Sequence, residues 1–171
     1  MSAVARRRSA ERPRDRYGRP LPWGARDELP GRKERTPRPA TAATTFDAAV
    51  ARFDAERFFE AHEHFLHLWR WHADPQDRGF WQGVAQVATG CVHIQRGNAA
   101  GARRLLARAE HNLAGYPSPH RGVDTGALTR AARGLAARVA VEGAHPGLAF
   151  PRFPRAGEPP EPPEPSEPTG P

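Results

Sequence analysis

Residues 80–106 read FWQGVAQVATGCVHIQRGNAAGARRLL, and the way this stretch is read decides the fold. Phe80, Trp81, Val84, Ala85, Val87, Ala88, Cys91, Val92 and Ile94 cover most sides of a helix, as in a central, buried one. Only Gln82, Gln86, Thr89 and His93 fall outside that surface, and at about 100° per residue they form one narrow polar stripe. Gly97-Asn98 then supplies a C-terminal cap followed at once by an N-cap. The next helix must therefore fold back as an antiparallel neighbour, with Ala102, Leu105, Leu106, Ala109 and Leu113 inward and Arg103, Arg104, Arg108 and His111 outward. Gly83 and Gly90 weaken a helix, which points to a neighbouring helix or a ligand approaching closely there.

Working outward, Phe46, Ala49, Val50 and Phe53 at i, i+3, i+4, i+7 predict a helix from about Thr45, broken near 54–57. A second helix is predicted from about Arg57 to His72, stopped by Asp74-Pro75, and the quoted one runs from about Asp77 to Arg96. A fifth begins at Asp124 or Thr125 and carries Leu128, Ala131, Ala132, Leu135 and Val139 before Gly143 and Pro146. Five amphipathic helices on short connections make an all-α bundle over residues 45–146.

The flanks read differently. Residues 1–44 hold 12 basic side chains against 5 acidic ones, so the net charge of the whole chain, +7, resides there. This Arg/Pro-rich stretch lacks apolar periodicity and is expected to be a disordered tail, as is the Pro/Glu-rich 147–171. An arginine arm suits nucleic acid. However, Arg outnumbers Lys 25 to 1, a bias that GC-rich coding produces by itself, so nucleic-acid binding is not favoured. No run of 18 apolar residues is present, so no membrane helix is expected. The N-terminal arginines precede no apolar region of a signal peptide, and the one cysteine, Cys91, can form no internal disulfide. Together these predict a cytoplasmic protein.

The second helix, FFEAHEHFLHLWR over 58–70, concentrates the chemistry. His62 falls amid Phe58, Phe59, Ala61, Phe65, Leu66, Leu68 and Trp69 and should point inward, with Glu63 at the border of that face. His64 and His67 should face solvent. HEHFLH is not the zinc-protease HExxH, because His62 and His67 are five apart on different faces. Glu60, His64 and His67 do share a face and could clasp a metal, although such exposed triads are more often solvated side chains. No metal or cofactor is expected. Cys91 reads as a core residue.

These two helices resemble the prokaryotic "domain of unknown function 309" family. The matching positions are Phe53, 58–63 (FFEAHE), 68–70 (LWR), Gln82-Gly83, Gln86, His93, 96–98 (RGN) and Gly101-Ala102. The likeness covers roughly residues 46–115. Leu66 and His67 stand where the family usually carries acids, and Asp54 stands where it has Asn. The resemblance implies a small all-α fold and no particular activity, and it adds weight to His62, Glu63, Gln82, Gln86 and His93 as a set.

Three function classes follow. The preferred one is a binding or interaction module with a polar inter-helix pocket of His62, Glu63, Trp69, Gln82, Gln86 and His93, for a small molecule or a protein partner. The second is a hydrolase or metal-assisted enzyme using the Glu and His residues of the EAHE helix, which lacks a nucleophile and a conventional ligand set. The third is a nucleic-acid-associated protein acting through residues 1–44. No feature specifies an oligomeric state.

Overall fold

The computed structural model describes residues 12–29, 41–71 and 73–157. Among them are five α-helices: α1 (Ala42–Asp54), α2 (Phe58–Trp71), α3 (Arg78–Gln95), α4 (Ala99–Leu113) and α5 (Thr125–Glu142), with a 3-10 turn (Pro75–Asp77) before α3. Each helix packs on the next in the chain, and α3 is the most deeply buried. The fold is all-α, as its periodicity predicts.

The ends of the helices follow from local chemistry. α1 begins three residues earlier than expected because the Thr41 hydroxyl accepts the Thr44 N–H and caps it. It ends in a Schellman motif, with Arg57 N–H on the Arg52 carbonyl and Glu56 N–H on that of Phe53. Glu56 takes the left-handed position there, at φ 56°. α3 ends the same way: Asn98 N–H bonds the His93 carbonyl, Gly97 N–H bonds that of Ile94, and Gly97 has φ 75°. Asn98 then caps α4 by accepting the Gly101 N–H at 2.9 Å. Gly97→Val, which forces a branched side chain into that region, should cost about 1–2 kcal/mol. Urea melts of the two proteins check this, and an unchanged midpoint would refute it.

Gly83 and Gly90 mark a helix contact rather than a ligand contact. A Cβ on Gly83 would lie 2.9 Å from Leu113 Cγ, and one on Gly90 2.8 Å from Leu106 Cδ2. α4 thus lies against the two glycines, seven residues or about two turns apart.

The bundle is wider than the expected boundaries at 45 and 146. Leu148 and Phe153 are buried, and the Phe153 ring meets Phe46, Phe53 and Phe65 at centroid distances of 5.9, 5.4 and 5.3 Å. The extended backbone is held from both sides: Asp54 Oδ1 accepts the Phe153 N–H at 2.7 Å, and the Pro154 carbonyl accepts that of Asp124. On the other flank, residues 12–29 fold into a turn that lies on α2 and α3, with Leu29 buried. Both pieces belong to the folded unit because tertiary contacts, not helical periodicity, order them. The expectation of disorder for 1–11, 30–40 and 158–171 lies outside the described residues, as does His72, the expected end of α2.

Candidate functional site

Of the six expected pocket residues, Gln82 and Gln86 line one groove, and His62, Glu63, Trp69 and His93 line neither that groove nor the cleft beside residues 12–29. Along the polar stripe of α3, Gln82 is exposed and Gln86 half-buried, its Oε1 accepting the Asn112 amide of α4 at 2.9 Å. Thr89 turns its hydroxyl onto its own helix, at the Ala85 carbonyl. His93 Nδ1 pairs with Asn98 Nδ2 at 2.8 Å. Since Asn98 Oδ1 already accepts Gly101 N–H, the amide faces His93 as a donor and the imidazole carries its proton on Nε2. Burial first, then the charges of Arg96 and Arg104, lower the His93 pKa.

Gln82 and Gln86 form one wall of a groove of about 540 Å³, and Arg104, Ala107, Arg108, His111 and Asn112 of α4 form the other. Arg104, Arg108 and His111 recur at i, i+4, i+7, which stacks them along one face. Neither arginine has a carboxylate partner among the described residues. Among the described residues, no acidic side chain lines the groove. It is a cationic slot edged with amides.

On α2 the buried row is Phe58, Ala61, Phe65 and Leu68. His62 flanks this row, half-buried, with its ring centroid 6.5 Å from that of Phe59. Burial, reinforced by Arg70 and Arg96, lowers its pKa to about 4, so the ring is neutral at physiological pH. Glu63 is exposed and Trp69 packs partly against the core. Arg96 is the link between His62 and His93, since its charge acts on both.

The Glu60–His64–His67 face is differently occupied. Glu60 is clasped by Arg57 through two 2.6 Å hydrogen bonds and approached by Arg52 at 3.3 Å. A cation there would have to displace two guanidinium groups. His64 is half-buried rather than solvent-facing, while His67 is exposed. Among the described residues no group of three or more His, Cys, Asp or Glu side chains is placed to hold a metal ion. Cys91 is fully buried, and burial pushes its thiol pKa up, away from thiolate reactivity.

Sequence reasoning missed two features. A cleft of about 360 Å³ lies between the 12–29 turn, the α1–α2 junction and Gln95; four of its lining residues, Arg16, Tyr17, Glu28 and Leu29, sit in the presumed tail. The other is buried Asp77, which accepts from His120 Nε2 at 2.8 Å and from Arg121 Nε at 2.6 Å. The Pro-rich loop holding His120 and Arg121 gave no periodic signal to join them to α3.

Residues 46–105, from α1 into α4, match the model of the family described as Domain of unknown function (DUF309). A relative from Bacillus subtilis (strain 168), named Uncharacterized protein YpuF, is 33% identical over 76 residues, or 44% of this chain. The chain covers 42% of that protein, less than half its length. No solved structure matches the chain. Among the described residues, no helix is long and apolar enough to cross a membrane. Across residues 46–105 the chain is therefore similar to the DUF309 family, in the segment that carries the polar stripe of α3.

Proposed function

We propose that the chain is a cytoplasmic helical binding module whose α3–α4 groove takes a small anionic molecule bearing hydrogen-bonding groups. The observation that carries this reading is that Arg104 and Arg108 line a groove with no carboxylate partner among the described residues. Guanidinium groups bind carboxylate and phosphate through paired N–H donors. Gln82 and His111 beside them can read the rest of the ligand, and Gln86 is held in place by Asn112. The ligand set expected from the sequence is thereby revised: Gln82 and Gln86 stay, the α4 side chains join, and His62, Glu63, Trp69 and His93 act elsewhere. Hydrolysis through His62 is less favoured, because a group titrating near 4 is a weak proton acceptor at neutral pH.

The test is calorimetric titration of the full chain with inorganic phosphate, citrate and adenosine monophosphate, at low and moderate salt. At least one should bind saturably, and an Arg104→Ala/Arg108→Ala variant of normal melting point should bind it roughly tenfold more weakly or worse, as loss of a charge-assisted contact implies. Equal binding by the double variant, or none by the wild type to all three, would reject the groove as the site.

A further inference from the structure

We propose that Phe59 and Arg96 form a peptide-docking site, occupied here in cis by residues 12–29, which also takes a glycine-tipped peptide turn of the same chemistry in trans. This site is separate from the α3–α4 groove. Arg96 directs both Nε and Nη2 at the Tyr17 carbonyl, at 3.0 and 2.8 Å, and its own carbonyl accepts from Arg19 Nη2 at 3.0 Å. Gly18, at φ 77°, rests on the Phe59 ring so closely that any Cβ would overlap the ring carbons. The Arg14 and Arg96 guanidinium groups lie 5.3 and 6.0 Å from the same ring centroid. The body thus reads a backbone carbonyl, the lack of a side chain and a cation. That is recognition of a motif, and arginine and aromatic residues are the types that dominate binding hot spots.

The turn also keeps its own shape. Asp15 Oδ1 accepts the N–H groups of Tyr17 and Arg19 at 2.9 and 2.7 Å, Gly18 N–H bonds the Asp15 carbonyl, and Leu21 N–H reaches back to that of Pro13. A segment pre-shaped by its own hydrogen bonds loses less entropy on docking and can act as a ligand in its own right. Away from the tight contact of Gly18 with Phe59, a 360 Å³ cleft remains between the turn and the α1–α2 junction. Apart from Pro13, Gly18 and Leu29, the buried apolar residues come from the helices, the α4–α5 loop and residues 148–153, so most of the core forms without the turn.

The experiment uses the full chain carrying Gly18→Val and a fluorescein-labelled synthetic peptide of residues 12–29, followed by anisotropy. The variant, whose own turn can no longer seat on Phe59, should bind the peptide saturably. The wild type should bind it roughly tenfold more weakly or worse, because the tethered copy competes at high effective concentration. The same peptide with Gly18→Val should not bind the variant chain. The idea is overturned if the wild type and the variant bind the peptide equally, if neither binds it, or if the valine peptide binds as well as the native one. Amide exchange showing residues 12–29 of the variant still protected would overturn it too, for Gly18 would then not be what the site reads.

Discussion

Phe153→Ala should lower the free energy of unfolding by about 3–5 kcal/mol, the usual cost of removing a buried phenylalanine from a packed core. The ring is 2% exposed and is met by three phenylalanines from α1 and α2. Each of those pairs adds about 0.5–1.5 kcal/mol beyond simple burial. Because the residue lies in an extended segment, nothing local compensates when it goes. The C-terminal strap would lose its anchor while keeping the Phe153 N–H bond to Asp54. A chain ending at residue 150 should lose at least as much, because it also forfeits that bond and the Asp124 N–H bond to Pro154. Urea unfolding followed by circular dichroism measures both. A loss under about 1 kcal/mol for Phe153→Ala would place the ring outside the core and restore the narrower boundary at residue 146.

That boundary shows which parts of the fold a sequence makes legible. α1 to α5 were readable because a 3.6-residue period repeats over several turns, and because Asn98 and Asp124 are residues whose side chains cap helices. Residues 147–157 and 12–29 have neither sign. Phe150 and Phe153 are separated by Pro151 and Arg152, and their packing against Phe53 and Phe58 is something no local pattern announces. Composition described these flanks as unable to fold alone, and it was silent on whether a finished bundle would hold them.

The same distinction explains the candidate site. On a helical wheel, all apolar residues of α2 merge into one broad face with His62 near its middle. The structure divides that face between two neighbours: Phe58, Ala61, Phe65 and Leu68 meet the core, while Phe59 is the seat of the 12–29 turn. His62 lies on the flank, and its lowered pKa reports partial burial and two arginines rather than a deep pocket. The polar stripe on α3 was legible because the helix is apolar on its remaining sides, but its assignment to a pocket shared with α2 rested on no such pattern. Its partner residues on α4 were already read as outward-facing, but only the antiparallel register shows that Arg104 and Arg108 stand opposite Gln82 and Gln86.

Asp77→Ala is the second large effect expected, a loss of about 2–3 kcal/mol at neutral pH, from removing a charged, buried acceptor of two hydrogen bonds. Asp77 ties the α4–α5 loop to the start of α3: His120 bonds one carboxylate oxygen and Arg121 the other, and the His120 ring stands edge-on to Phe80 at 4.8 Å. Arg121 is 55% exposed, so its share is discounted for solvent screening, and most of the loss comes from the His120 side. Burial raises the Asp77 pKa, but the hydrogen bonds from His120 and Arg121 outweigh it and hold the group below the ordinary carboxylate value. A depressed folded pKa fixes the sign of the pH dependence. The contribution is fully present above the unfolded value of about 3.9 and is lost as pH falls through the lower, folded one. The stability gap between wild type and Asp77→Ala should therefore stay level from pH 7 to about 5 and close progressively below about 4. Melts of both proteins across that range provide the comparison, with Arg121→Ala as the smaller, partly screened control. A gap that persists undiminished well below the ordinary carboxylate pKa would mean that Asp77 acts through packing and not through its charge.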